Sequence, residues 1–209
     1  MNHPAMSIRL QVACSELIWA VQLNLMWIVF TLAGGVIGGL GPATVAAYTL
    51  ARRRARNESF HGWAEFWTVY RREFVRASLL VLPVAALATV LVGNYLYLSA
   101  LGPSMGALRI ATFVTLIALA GVGAYLGPLY AHYDLPLRAY WPKAAQLALL
   151  RPASSVLLLL ALSAIAYATS TAPILAPVIS FGAWIYLNTW LCQRFFAENE
   201  AHLHSKGNS

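Results

Sequence analysis

The chain reads as an all-α integral membrane protein, with five transmembrane helices and amphipathic helices at the cytoplasmic interface. Three observations predict this. Of its 209 residues, 60% are hydrophobic and only 10% are charged, and its mean hydropathy is +0.65. A soluble domain carries about 25% charged residues, so the polar surface needed to cover a core in water is missing. Five stretches reach the roughly 20 apolar residues that cross a hydrocarbon core. The positive charges, finally, gather in alternate connections between those stretches.

The five spans run from about Leu17 to Leu40, Ser78 to Ala100, Ile110 to Ala131, Ala153 to Ala172 and Ile174 to Phe195. Only Thr171-Ala172-Pro173 separates the last two, which predicts a tight helical hairpin. Residues 41–77 and 132–152 are then loops on one side, and residues 199–209 a disordered polar tail. The connection from Gly41 to Ala77 holds Arg52, Arg53, Arg54, Arg56, Arg71, Arg72 and Arg76. With Arg138, Lys143, Arg151, Arg194 and Lys206, one side receives 12 basic residues, against Arg9 and Arg109 on the other. Translocating Lys and Arg is disfavoured, so the rich side is cytoplasmic, with the N-terminus out and the C-terminus in. Trp63, Trp67, Trp141 and Trp190 fall near the inner interface, and Trp19, Tyr95 and Tyr97 near the outer one.

The connection between the first two spans carries the strongest local pattern. Gly41-Pro42 closes the first span, and proline suits the first turn of a new helix, here ending in Arg52-Arg53-Arg54-Ala55-Arg56. A second helix runs from about Gly62 to Ala77. Its Trp63, Phe66, Trp67, Tyr70 and Phe74 share one face at 100° per residue, with Glu65, Arg72, Glu73 and Arg76 opposite. Such a helix suits an interface. Each basic residue beside an anionic leaflet contributes about 1 kcal/mol. Arg52, Arg53, Arg54, Arg56, Trp63, Trp67, Arg71 and Arg72 are therefore candidates for docking anionic inner-leaflet lipids or a partner. The plainer reading is a topology anchor alone. Nucleic acid is not expected, because the excess positive charge sets orientation instead.

Polar residues within spans are costly and are candidate functional residues. Asn24, Thr31 and Asn188 qualify, with Trp27 and Glu16 on the same side of the first helix as Asn24. They form either interhelical hydrogen bonds or a polar site for a solute. No Asp, Glu, Lys or His lies deep in a span, which argues against a proton relay. Gly34 with Gly38, Gly35 with Gly39, and Gly123 with Gly127 stand four apart, a spacing that suits close helix packing. His132 and Asp134 supply two possible ligands, too few for a metal. Cys14 and Cys192 stand alone. No nucleophile motif or phosphate loop is present, so no catalytic residue, metal or cofactor is expected.

Residues 15 to 80 carry a resemblance. Asn24-Leu25-Met26-Trp27, the run from Gly41-Pro42-Ala43-Thr44 to Leu50, and Phe66, Tyr70, Phe74 and Ala77 resemble the YesL family of bacterial membrane proteins. Its pattern is Asn-x-x-Trp in the first span, Gly-Pro-Ala-Thr near the inner end, and an aromatic-spaced helix before the second span. Leu150-Arg151-Pro152 is similar too, whereas Ala33 to Gly39 is richer in glycine than the pattern. The resemblance implies a multi-pass protein of the bacterial inner membrane, often encoded beside carbohydrate ABC transporters. It therefore implies a non-enzymatic accessory or regulatory role in sugar uptake, with transporter or signalling subunits as partners. The alternative is a small-solute permease or channel using the intramembrane polar residues.

Overall fold

The computed structural model describes the backbone of residues 3–207, and side chains at 11, 14–102 and 104–194. It contains helices and turns, with no strand among the described residues. Eight α-helices follow in order: α1 His3–Ala33, α2 Ile37–Ala55, α3 Gly62–Arg72, α4 Phe74–Ala100, α5 Gly106–His132, α6 Leu137–Leu150, α7 Pro152–Thr171 and α8 Phe181–Gly207. Four described stretches are long and apolar enough to cross a membrane: Cys14–Ala33, Phe74–Ala100, Gly106–His132 and Pro152–Thr171. Large apolar side chains such as Val75, Leu79, Val90, Leu96 and Leu160 stand exposed along α4 and α7. A monomer rarely leaves so much apolar surface to water, so lipid is the solvent that fits.

The first expected span does not run on to Leu40. It ends at Ala33, and the chain reverses through Gly34-Gly35-Val36. Gly35 has φ 74° and Val36 φ 62°. The Ile37 amide donates to the Gly35 carbonyl at 2.8 Å, closing a γ-turn around Val36. Gly34 and Gly39 touch across the reversal, and a side chain at either would collide with backbone. These glycines therefore make a hairpin, not a small-residue stripe on one helix.

The reversal brings α2 back along α1. Trp27 meets Thr44, and Glu16 meets Arg54 at 3.1 Å. Trp19, expected at the outer interface, is buried against Phe60 and lies beneath the Arg54 guanidinium. The expected placement of the N-terminus opposite the arginine loop needs a crossing between Glu16 and Arg54. The hairpin brings Arg54 back beside Glu16 instead.

Residues 41–77 hold the two expected helices, the first of them starting earlier, at Ile37. Pro42 lies inside α2, where its ring removes the hydrogen bond due to the Gly38 carbonyl. Ser78 Oγ approaches that carbonyl at 3.3 Å and compensates in part. A Cβ at Gly41 would lie 2.7 Å from the Ser78 Cα, so only glycine lets α4 come this close. Further along α2, the Tyr48 ring occupies the space a side chain at Gly127 of α5 would need. Residues 77–78 and 127 lie within about two turns of the start of α4 and the end of α5. α2 thus lies across those ends. The helix expected to continue from Gly62 into the next span breaks at Glu73, between α3 and α4.

Residues 132–152 hold α6, which tolerates Pro142 in its second turn. Two further expectations change. The segment 174–195 is not one α-helix: a π-turn at Ala176–Ser180 precedes α8. The tail expected to be disordered extends α8 to Gly207, with no proline or glycine interrupting it after Gly182. The side chains of His202 and His204 lie outside the described residues.

Candidate functional site

Two polar clusters stand out, and they differ in kind. The first centres on Asn24, which is fully buried on α1. Its Nδ2 donates to the Pro177 carbonyl at 2.6 Å and reaches that of Ala176 at 3.4 Å. Its Oδ1 accepts from the Phe181 and Gly182 amides at 3.0 and 3.1 Å. In a π-helix, residue 181 would donate to 176, and 182 to 177. The Asn24 amide is inserted between those two pairs and completes the widened turn. Gly182 permits the approach, because a side chain there would strike the Ala20 carbonyl. Trp27, one turn on, stacks on Phe181 at 4.1 Å and donates from Nε1 to Thr44 Oγ1 at 3.0 Å. Thr44 donates in turn to the Leu40 carbonyl at 2.7 Å.

Thr31 and Asn188 do not join this cluster. Thr31 is buried at the reversal with its backbone against Gly39, and its hydroxyl has no partner. Asn188 on α8 donates to Tyr48 Oη and to the Ala124 carbonyl, both at 2.8 Å. It also accepts from Cys192 Sγ at 3.3 Å. Cys14 and Cys192 are both free thiols. A cavity of about 230 Å³ lies between these contacts, lined mainly by apolar side chains such as Leu80, Val84, Leu126 and Trp184.

The second cluster is a cleft of about 530 Å³ at the arginine-bearing end. Val45, Thr49, Arg52 and Arg56 recur at three and four residues, so one face of α2 forms its floor. Arg72, Glu73 and Arg76 come from the α3–α4 junction, Tyr130 to Asp134 from the end of α5, and Tyr140 from α6. Five arginines thus face three carboxylates. Arg53 pairs with Glu65 at 2.6 Å and Glu58 at 3.8 Å. Arg76 approaches the exposed Asp134 at 3.9 Å. Glu73 receives Arg72 Nε at 2.8 Å and the Tyr130 hydroxyl at 2.6 Å. Burial pushes the Glu73 carboxyl up, but Tyr130, Arg72 and Arg76 outweigh it and hold the group below its ordinary value of 4.5.

Arg52 and Arg56 are left without a carboxylate partner among the described residues. Arg52 donates from Nη1 to the Ala131 carbonyl. Its Nε is buried with no partner. Burial, and then the neighbouring Arg56 charge, shift Arg52 toward easier deprotonation, though a guanidinium stays charged at neutral pH.

Of the expected docking residues, Arg52, Arg53, Arg56 and Arg72 therefore share one cleft. Arg54 turns away to Glu16 and Trp19. Trp63 and Trp67 are half-exposed over Phe30, with the Arg71 guanidinium 5.4 Å from the Trp67 ring, and form a separate patch. Phe66 and Tyr70 of the same helix are buried. Arg76, Tyr130 and Tyr140 are cleft residues that sequence reasoning missed. Their signal was charge and aromaticity at the ends of two apolar helices.

The family model for a protein of unknown function, DUF624, matches residues 20–95. These include Asn24, Trp27, Gly41-Pro42-Ala43-Thr44 and all of α3. The chain is 31% identical over 147 residues to the uncharacterized protein YesL of Bacillus subtilis (strain 168), an alignment covering 69% of each. The chain belongs to the YesL-like DUF624 family. It is also 29% identical over 201 residues to the uncharacterized protein YesV of the same organism, covering 95% of this chain and 96% of that one. No solved structure matches it. The residues that carry the family likeness have packing roles here. Asn24 completes the π-turn, Trp27 and Thr44 join α1 to α2, and Gly41 admits α4.

Proposed function

We propose that this YesL-like protein is a non-enzymatic accessory or regulatory component of carbohydrate uptake of the ABC type, in the bacterial inner membrane. The observation that carries the reading is the open arginine cleft, assembled from α2, the α3–α4 junction, α5 and α6. Such a surface suits engagement of a transporter or signalling subunit on the cytoplasmic side. The amides of Asn24 and Asn188 are engaged by the protein's own groups, which favours this reading over a permease.

The orientation we propose differs from the one the hydropathy pattern suggests. The Glu16–Arg54 ion pair supports placing the start of α1 on the arginine side. Gln193 of α8, which shares a small cavity with Arg52 and Ala131, supports the same side for the end of the segment 174–195. We take α4, α5, α7 and that segment as crossings, with the α1–α2 hairpin leaving from and returning to the cytoplasmic side. Among the basic residues with described side chains, Arg109 alone then lies on the far side, as the positive-inside bias favours. Helix α3, with its half-exposed tryptophans, lies at the cytoplasmic interface in this arrangement. Cys14 is exposed and Cys192 buried, so a membrane-impermeant thiol reagent should label Cys14 from the cytoplasmic face alone. Labelling from outside in intact cells would overturn the orientation.

The partner reading is tested by co-purification from membranes in mild detergent. The natural chain should bring down transporter or signalling subunits, and an Arg52→Ala/Arg56→Ala variant should lose them. Recovery of no such subunit with either form, or equal recovery with both, counts against it.

A further inference from the structure

We infer that the cleft at Arg52 and Arg56 binds a phosphate-bearing ligand. Each carboxylate lining this cleft has another arginine as its ion-pair partner: Glu73 takes Arg72 and the Tyr130 hydroxyl, Glu58 lies 3.8 Å from Arg53, and Asp134 lies 3.9 Å from Arg76. None forms an ion pair with Arg52 or Arg56 among the described residues, and only Glu58 acts on Arg52 at longer range. Arg52 in the last turn of α2 and Arg56 at its C-cap stand a single turn apart. Two like charges held this way repel, and a buried guanidinium N–H without an acceptor carries a desolvation cost. Arg52 Nε is such a group, while the Ala131 carbonyl fixes the same guanidinium through Nη1. A held guanidinium with an open donor is preorganised for an anion, and its fork suits phosphate oxygens.

The chemistry of the occupant follows from charge and size. A phosphate monoester brings close to two negative charges and three strong acceptors at neutral pH, which matches two unneutralised arginines. A monocarboxylate would leave one of them unpaired. The cleft, at about 530 Å³, falls in the roughly 300–1,000 Å³ range of small-molecule sites, so the phosphate can carry a body. Thr49 and Tyr140 also line it and offer hydroxyls. The phosphate has two possible sources, a soluble phosphate monoester or a lipid whose headgroup is itself a phosphate monoester, as in phosphatidic acid. The inference stands apart from the partner reading, since co-purification and phosphate binding can each fail alone.

The test uses the full chain in neutral detergent, titrated with inorganic phosphate against chloride at matched ionic strength. Binding is read by calorimetry and as a rise in unfolding temperature. Wild-type protein should show saturable stabilisation by phosphate, and Arg56→Gln should weaken it at least tenfold. Arg52→Gln should do the same. If that variant folds poorly through loss of the Ala131 contact, Arg56→Gln, which has no such contact, decides alone. Arg109→Gln, far from the cleft, should bind as wild type. A second arm repeats the titration in nanodiscs of phosphatidylcholine with and without phosphatidic acid, whose headgroup is a phosphate monoester. Competition by phosphatidic acid assigns the site to a lipid headgroup, and undiminished phosphate binding assigns it to a soluble ester. Stabilisation no greater than with chloride, or binding untouched by Arg56→Gln, overturns the inference.

Discussion

The Asn24 junction and the arginine cleft are both polar clusters in an apolar protein, yet they are wired in opposite ways. Each hydrogen-bonding position of the Asn24 amide finds a backbone group of the segment from Ala176 to Gly182. In the cleft, Arg56 has no ion-pair partner among the described residues, and Arg52 uses one donor while its Nε stays open. The difference teaches how to read polar residues in such chains. A saturated group has its free energy committed to the fold. An unsaturated charge persists only where solvent or a ligand reaches it.

The largest effect should come from breaking the saturated side. Asn24→Leu strands the Phe181 and Gly182 amides and the Pro177 carbonyl, each worth about 1–3 kcal/mol when buried without a partner. We expect a loss of roughly 3–5 kcal/mol, allowing for partial closure of the π-turn. Thermal unfolding in detergent, followed by size-exclusion chromatography, measures it. A loss under about 1 kcal/mol would mean that the junction does not hold α1 to α8, and the contrast with the cleft would collapse.

A smaller effect separates the wall of the cleft from its floor. Glu73 is held below its ordinary value of 4.5 by Tyr130 and its flanking arginines, against the push of burial. Its folded pKa lies below the unfolded one. The stability it adds is therefore complete above about pH 4.5 and is lost as pH falls through the lower folded value. Glu73→Gln should cost about 1 kcal/mol at neutral pH, mostly through the Tyr130 bond, since Arg72 is largely exposed and screened. The variant should also show less destabilisation on acidification than the natural chain. An identical acid limb in both proteins would assign that limb to other carboxylates.

How much of this was legible depends on where each partner sits in the chain. Asn24 stood out because an amide interrupts an apolar run. Its partners could not be named, because Pro177 and Gly182 lie more than 150 residues away. The membrane class followed from composition, and the arginine end from charge. The first span was misread for a physical reason: glycine counts as apolar in hydropathy, so Gly34-Gly35 looks like more helix while it makes the turn. Pro42 misled in the opposite direction. It looks like a helix boundary, but Ser78 answers the carbonyl it leaves open. Which arginines stay unneutralised was invisible, because the answer rests on Glu16, Glu65 and Ala131 from other helices.

The smallest effect on stability sharpens the contrast most. Arg56 is exposed at the C-cap of α2 and stands one turn from Arg52. A like-charge pair at this spacing destabilises a helix by about 0.2–0.5 kcal/mol. Arg56→Gln should therefore leave stability unchanged or raise it by less than about 0.5 kcal/mol in low salt. The gain should shrink in 1 M salt, where the Debye length falls to about 3 Å. A residue kept for the fold would behave otherwise. A loss above about 1 kcal/mol would make Arg56 a structural residue like Asn24, and the open charge in the cleft would need a partner within the chain itself. A neutral or positive change, beside the loss of phosphate binding in the same variant, would separate the two regions by experiment. One polar cluster would then hold the helices together, and the other would stay available because no described carboxylate pairs with Arg52 or Arg56.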